Sequence, residues 1–466
     1  MLNSIISQDQ DEREFLNAIS SFFSSFSIGR LLHKCNAQKE KGVPVVDIFK
    51  YKLCNVFSGC SMYMQQKTGS FKESFSKNTY YRFLNSPKTN WLRFTTLLSK
   101  RVADVVEPLT SDDRVNAFVV DDSLFERTSC KKTELGARVF DHTTMKYRKG
   151  YRLMTLGWTD GNTFLPINSC LLASSKDRNL IGPVDQYDGR SLAAKRRKPA
   201  QTKGTEVMIE LLKTAQKAGH HADYVLFDTW FSSPKTICQI KEECGLDTIA
   251  MIKKSSRIKY LWEGQKLDVK EIYSRNKKRR GRSRYLLSVM VDIVSKNDDG
   301  DEVTVPAKIV YVRNTKKKKD WIAIICTDAG LSENEVIRIY GKRWQTEVFY
   351  KTCKSWLHLG KECQSLSYDS MTAHVSIVFA RYMLLSVEQR KDGDERSICE
   401  LFYVLCDELA DITYNESLQL IVNAMLESLR EIFHFTDEQT EAFTADFVSR
   451  LPEYLQSSLG YTMKTA

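Results

Sequence analysis

The stretch Y-G-K-R-W-Q-T-E-V-F-Y-K-T-C-K, from Tyr340 to Lys354, lies inside a run with helical periodicity. Ser332 followed by Glu335 reads as a capping box, in which serine and glutamate satisfy each other's orphan amides. Gly360 is a natural stop, because glycine takes the left-handed turn after a helix without steric cost. No proline intervenes and Gly341 alone is weak, so one helix from about 332 to 360 is expected. At about 100° per residue, Tyr340, Arg343, Glu347 and Lys354 fall within an arc of roughly 60°. One face thus carries a carboxylate, two cations and a phenol. A salt-bridged, solvated surface helix would show the same charges.

Outward from that helix the chain alternates in the manner of an α/β sheet. Trp321–Thr327 is a strand just before it. Upstream, Val115–Val120 is an apolar, β-branched run that ends in Asp121-Asp122-Ser123, and Ala222–Phe227 is a second that ends in Asp228. Runs of this kind read as buried central strands with acids at their C-terminal ends, where open-sheet sites form. Strands are also expected at Tyr151–Trp158 and Thr163–Leu172, with Asp160-Gly161 as a hairpin turn, and at Thr248–Ile252. A helix is expected at Thr205–Lys217. Residues 253–320 interrupt the alternation, with strands at Tyr285–Val294 and Val303–Val312 and basic clusters at 277–284 and 316–319. They read as a β-rich insertion that separates Asp228 from Glu347.

Residues 1–110 read as short helices with a basic, aromatic stretch at 71–85, where Lys72, Lys77, Tyr80, Tyr81 and Arg82 stand together. Beyond 365 the pattern is helical and amphipathic. A length of 466 residues is enough for two to three domains. The net charge of +11 is concentrated: residues 253–320 hold 20 Lys and Arg against 9 Asp and Glu, an excess equal to that of the whole chain. A polyanion is the implied partner, and nucleic acid is the commonest one. The run K-R-R-K at 195–198 is expected on a surface loop. Twelve scattered cysteines without a C-x-x-C pair imply reduced thiols and no zinc site. No apolar run of about 18 residues is evident, so no membrane span is expected. The N-terminus lacks the pattern of a signal peptide, and a cytoplasmic protein is expected.

An acid on each of two central strands and one on a covering helix suits divalent-metal phosphodiester chemistry, since hard cations take carboxylate oxygens. The set is Asp228, Glu347 and one of Asp121 or Asp122, which point to opposite faces of their strand. Each has an ordinary alternative. Asp228 suits a helix N-cap, and Glu347 suits a pair with Arg343 or Lys351 at helical spacing.

Tyr340, Arg343, Glu347 and Lys354 reproduce the Y-x2-R-x3-E-x6-K signature, and over about 115–360 the chain resembles the bacterial cut-and-paste DDE transposases of insertion-sequence family four. The resemblance implies an RNase H-like catalytic core at 111–364 with the β insertion at 253–320. Helical domains would flank it, a DNA-binding one at 1–110 and a possible dimerisation one at 365–466. It implies catalysis by Asp122, Asp228 and Glu347 holding two Mg²⁺, with Mn²⁺ as substitute. Asp122 is preferred over Asp121 because the family pattern puts the acid directly before Thr or Ser. Tyr340, Arg343, Lys351 and Lys354 would contact DNA, together with the basic run Lys277, Lys278, Arg279 and Arg280. Trp321 is expected as a platform for an unstacked base in a hairpin intermediate, although a lone tryptophan there also suits a core. The implied activity is cleavage at the element's terminal inverted repeats and joining of 3′ ends to target DNA. Double-stranded DNA and a second copy of the chain are the implied partners, at the bacterial nucleoid. An RNase H-fold nuclease or resolvase, and a non-catalytic domesticated DNA-binding protein, are the alternatives.

Overall fold

The computed structural model describes residues 18–110, 114–128, 130–141, 144–280, 283–314, 320–390, 398, 421–422, 425–452 and 456. The basic cluster at 316–319 and part of the stretch expected to hold a dimer seam, residues 391–397, 399–420, 423–424, 453–455 and 457–466, lie outside the described residues.

The N-terminal third is helical, as its periodicity predicts: α1 (Ala18–Ser25), α2 (Ile28–Lys34), α3 (Val45–Cys54), α4 (Met62–Thr68), α5 (Lys77–Leu84) and α6 (Trp91–Val106). The longest, α6, starts where the Asn90 side chain accepts from the Arg93 amide at 3.0 Å. Its Trp91, Phe94, Leu98 and Val102 are fully buried, the three-to-four spacing of a helix with one apolar face.

The strands are β1 (Ala117–Glu126), β2 (Ala137–Asp141), β3 (Lys146–Thr159), β4 (Phe164–Leu172), β5 (Tyr224–Phe227), β6 (Asp247–Met251), β7 (Tyr260–Trp262), β8 (Gln265–Leu267), β9 (Tyr285–Lys296), β10 (Glu302–Arg313) and β11 (Trp321–Cys326). All join one mixed sheet in the order β2-β3-β1-β5-β6-β11-β10-β9-β7-β8, with β4 also on β3. β1 runs antiparallel to β3 and parallel to β5, and β5 runs parallel to β6. The short helices α7 (Leu192–Arg197), α8 (Gly204–Lys217), α9 (Pro234–Gln239) and α10 (Val269–Arg275) fill the connections. Strands β9 and β10, expected in an insertion, form a long hairpin that continues the main sheet by pairing with β11. Their alternating apolar residues bury one face against α9 and α10, so they extend the existing layer.

After β11 come α11 (Glu333–Gly341), α12 (Gln345–Ser355), α13 (Tyr368–Arg390) and α14 (Asp437–Ser449). The single helix expected over 332–360 is broken. A 3-10 turn at Lys342–Trp344 separates α11 from α12. Glycine at 341 weakens the helix there, and two side chains hold the turn to the β3–β4 hairpin. Lys342 Nζ donates to the carbonyls of Val115 and Asp160, and Gln345 Nε2 donates to Gly161 O at 3.0 Å. Ser332 does cap α11, accepting from the Glu335 amide, but the Glu335 carboxylate turns to Arg338.

Helix α13 is the one helix of membrane-spanning length among the described residues. It is long and apolar enough to cross a bilayer by length and composition, yet almost all of it is buried inside the protein. It packs on α3, α6, α12 and β4. One hydrophobic core runs from Ala18 to Val387, so the helices before and after the sheet share its interior. A small separate cluster gathers Val422 and Leu426 under Phe443 and Phe447.

Two buried ion clusters hold this arrangement. Arg197, expected on a surface loop, is buried and donates to Glu134 and Asp369; Arg196 joins Asp369 too. Of the K-R-R-K run only Lys195 and Lys198 are exposed. In the second cluster Glu362, just beyond α12, meets Lys52 at 2.9 Å and Arg381 at 2.6 Å. Burial pushes the Glu362 carboxyl up, but the two cations outweigh it and hold it far below the usual range. The ten cysteines among the described residues are free thiols.

Candidate active site

Helix α12 carries two faces. Thr346, Phe349, Tyr350 and Cys353 are buried, while Glu347, Lys351 and Lys354 are exposed, the split that helical spacing dictates. The Phe349 ring lies 5.0 Å from Phe164 on β4 and 4.8 Å from Tyr382 on α13, centroid to centroid. The Tyr350 hydroxyl lies 3.1 Å from the carbonyls of both Asp121 and Leu153 and can donate to one at a time. The helix is thereby fixed in height and rotation over β1 and β3.

Strand alternation then decides which aspartate meets it. Asp121 is opposite Thr155 in the β1–β3 ladder and, with Ser123, faces α12. Arg343 Nη1 donates to Asp121 Oδ2 at 3.0 Å, and its Nη2 donates to Glu347 Oε1 at 3.0 Å. Lys354 Nζ donates to Ser123 Oγ at 2.7 Å. Asp122 points the other way and is gripped by Arg152 of β3, whose Nε donates at 3.0 Å and whose Nη2 donates to the second oxygen. Asp121 is thus the acid that Arg343 links to Glu347, while Asp122, the acid that the sequence pattern selects, pairs with Arg152 and lines the cavity beside Asp228.

Asp228 follows β5. The parallel register pairs Val119 with Leu226, which brings Asp121 and Asp228 level; β1 itself runs on to Glu126 by pairing with β3, so Asp121 and Asp122 stand mid-strand and not at the strand end that their sequence suggested. Asp228 does not cap a helix: Ser233 caps α9, and Asp228 Oδ1 instead accepts from the Trp230 amide at 2.8 Å. Asp121, Asp122, Asp228, Trp230, Arg152 and Lys354 line one open cavity of about 640 Å³. Burial pushes the Asp121 carboxyl up to about 7, against the pull of Arg343 and with the help of Asp228. Burial also raises Asp228, opposed by the Trp230 amide and Arg343 and reinforced by Asp122. Carboxylates crowded at one place and short of solvent are stabilised by a cation.

Among the described residues no three acids are drawn together in metal-ligand geometry; the Arg343 guanidinium supplies the positive charge between Asp121 and Glu347. The donor chemistry nonetheless fits a hard divalent cation, since Asp121, Asp228 and Glu347 offer carboxylate oxygens.

The other expected contacts divide. Tyr340 is partly buried beside Arg343, and burial pushes its phenol up to about 12. Lys351 is exposed on α12. Trp321 is engaged: its ring stacks on Tyr273 at 4.7 Å and carries Lys254 Nζ 4.0 Å from its centroid. Lys277 and Arg280 are exposed, while Lys278 and Arg279 lie over the rings of Tyr273 and Tyr285. Sequence reasoning passed over Arg152, Trp230 and Lys253. The one available signal was a tryptophan two residues after a strand-end acid.

A search among curated proteins gives no match to this chain. The family model for the DDE superfamily endonuclease matches residues 63–326, which includes Asp121, Asp122 and Asp228 and ends before Glu347. Members of that superfamily cut DNA and generally depend on divalent metal ions. The match spans more than half of the sequence and covers the strands that bring the aspartates together, and the chain belongs to the DDE superfamily endonucleases.

Proposed function

We propose that this protein is a transposase of the insertion-sequence family four type. It cleaves at the terminal inverted repeats of its own element and joins the 3′ ends to target DNA. The observation that carries this reading is that Asp121 and Asp228 line one open cavity, while Arg343 links Asp121 to Glu347 on the helix above. The order of the five strands β4-β3-β1-β5-β6, three antiparallel and then two parallel, supports an RNase H-like core. The fit of Tyr340, Arg343, Glu347 and Lys354 to the signature supports the family.

In this reading Asp121, Asp228 and Glu347 hold two Mg²⁺, or Mn²⁺ in substitution. Bound there, the metal ions activate an attacking oxygen and stabilise a leaving one. Arg343 exchanges its carboxylate partners for a phosphate of the bound end, as a guanidinium fork suits both. Lys351 and Lys354 on the exposed face add point charges along the same strand. Tyr350 and Phe349 keep Glu347 at its height over β1. Arg152 neutralises Asp122 and keeps it out of the ligand set. One strand is hydrolysed, the freed 3′-hydroxyl attacks the opposite strand to form a hairpin, and the reopened end is joined to target DNA. Residues 1–110 grip the end duplex with their basic, aromatic stretch, and two copies of the chain pair two ends. The setting is the bacterial cytoplasm, on nucleoid DNA.

The test is cutting of a plasmid that carries this gene with its native flanks, in Mg²⁺ or Mn²⁺, by the wild type and Glu347→Gln. Discrete cuts at the element borders that vanish in the variant are the expected outcome. DNA binding without any cutting would replace the transposase reading with that of a non-catalytic DNA binder, and cutting that survives the substitution would remove Glu347 from the site.

A further inference from the structure

Strand β3 outruns its neighbours. β1 stops opposite Gly150 and β4 opposite Arg152, and from there to Lys146 the partner of β3 is β2, the outermost strand of the sheet on that side. The pair is a two-stranded ribbon that continues the ladder carrying Asp121 and Asp122. Directly opposite residues of an antiparallel ladder share a face. Arg138 lies opposite Lys149, and Phe140 opposite Tyr147, so one face of the ribbon presents two cations and two aromatic rings and no acid. Arg138, Tyr147 and Lys149 are exposed, Tyr147 by 70% even with its ring 5.2 Å from that of Phe140. Lys149 Nζ makes a long hydrogen bond of 3.4 Å to Cys130 O. The other face is more nearly neutral: Arg148 is 3.6 Å from Glu126, and Asp141 stands opposite Lys146. Lysines alone would serve to keep an edge strand from pairing with another chain, but an exposed tyrosine between cations does not serve that end.

We propose that the face bearing Arg138, Tyr147 and Lys149 lies in the major groove of the element's own end duplex, with the two cations on phosphates and the ring against base edges. The inference rests on the transposase reading above and adds a DNA surface outside α12 and the helical N-terminal third. The major groove is wide enough for a two-stranded ribbon, and cations at both sides of it match the phosphates that border the groove. The occupant is the end duplex because Asp141 and Thr144, next to the ribbon face, line the same cavity as Lys354, the cation assigned to that end. A strand and a B-form duplex both advance about 3.4 Å per unit. Thr155 stands opposite Asp121, and Lys149 and Tyr147 lie six and eight residues further along the ladder. The ribbon should therefore meet the duplex about six to eight base pairs inside the cleavage point.

The experiment binds the full-length protein, in Ca²⁺, to the element's border duplex with single neutral methylphosphonate linkages placed in turn on either side of the cleavage point. The wild type is expected to lose affinity for linkages about six to eight base pairs inside the element, and the double variant Arg138→Ala, Lys149→Ala to be indifferent to them. With two phosphate contacts gone, the double variant should also lose roughly tenfold less affinity than the wild type between about 50 and 200 mM salt. Tyr147→Ala should bind more weakly at every salt concentration and keep the wild-type slope. All three side chains are exposed, so thermal midpoints should stay at the wild-type value. A double variant with the wild-type salt slope, interference confined to the flanking side, or wild-type affinity in Tyr147→Ala would overturn this placement of the ribbon. A wild type that does not prefer the border duplex to unrelated DNA would refute the transposase reading and this inference with it.

Discussion

Replacing Asp121 by asparagine should stabilise the apo-protein at alkaline pH while it abolishes cutting. The carboxyl is 14% exposed, and burial pushes it up to about 7 from a starting value of 3.8. A raised acid binds more protons in the folded chain than in the unfolded one, so its contribution to stability falls as pH rises between those values. At 1.36 kcal/mol per unit, a shift of about three units amounts to roughly 4 kcal/mol at pH 8 as a ceiling. Burying the replacement amide costs about 1–3 kcal/mol of that. The expected net gain is about 2 kcal/mol at pH 8, and it should disappear near pH 4, where the wild-type carboxyl is neutral in the folded chain. Asp122→Asn should behave in the opposite sense, because it leaves the Arg152 guanidinium half-buried without its partner, at a cost of about 1–3 kcal/mol. Thermal midpoints of the wild type and both variants, measured from pH 4 to pH 8 without divalent metal, make the comparison. Cutting assays on the same proteins complete it. An Asp121→Asn protein less stable than the wild type at pH 8, or one that still cuts DNA, would refute the assignment of this aspartate to the metal site.

Glu362→Ala should lose about 3–5 kcal/mol, the usual result of stranding buried cations, here Lys52 and Arg381; an unchanged thermal midpoint would show that the two cations find other partners. Since those cations hold Glu362 far below its ordinary range, its stabilisation is present above about pH 4.5 and fades as pH falls further, a loss that the alanine variant should not show. Tyr350→Phe should cost about 0.5–1.5 kcal/mol for one hydrogen bond and slow cutting through looser placement of Glu347; full activity would mean that Phe349 alone positions the helix. At Gly157 an added Cβ would fall 2.2 Å from the Phe164 ring, so Gly157→Ala should cost about 1–3 kcal/mol by overpacking. A wild-type midpoint there would show that Phe164 can retreat from Phe349.

Much of the sheet was legible in the chain itself. The runs that became β4, β5, β6, β9, β10 and β11 are apolar and formed close to their expected limits, whereas β1 runs six residues beyond its apolar run and β3 starts five residues before its own, because the two strands pair with each other and with β2. Local pattern suffices where apolar residues fill or alternate along a strand. The short strands β2, β7 and β8 carry no such run and exist because a neighbour offers them an unpaired edge. Acids on β1 and just after β5, and a helix bearing Glu347, were likewise visible as residues and spacings. Their convergence was not. Which of Asp121 and Asp122 turns towards Glu347 depends on the ladder with Thr155 and on the height of Tyr350. A helix without an apparent break proved to be two, because Lys342 and Gln345 found partners on a hairpin some 180 residues earlier in the chain. The basic run at 195–198 looked like surface until Glu134 and Asp369 arrived from distant segments to pair with it, and Trp321 looked available until Tyr273 and Lys254 covered it. Sequence determined which segments bury apolar surface and which residue types can do phosphodiester chemistry, because both follow from local periodicity and side-chain chemistry. Tertiary structure alone decided which polar side chains meet, because the partners of a buried charge come from parts of the chain that local pattern does not connect.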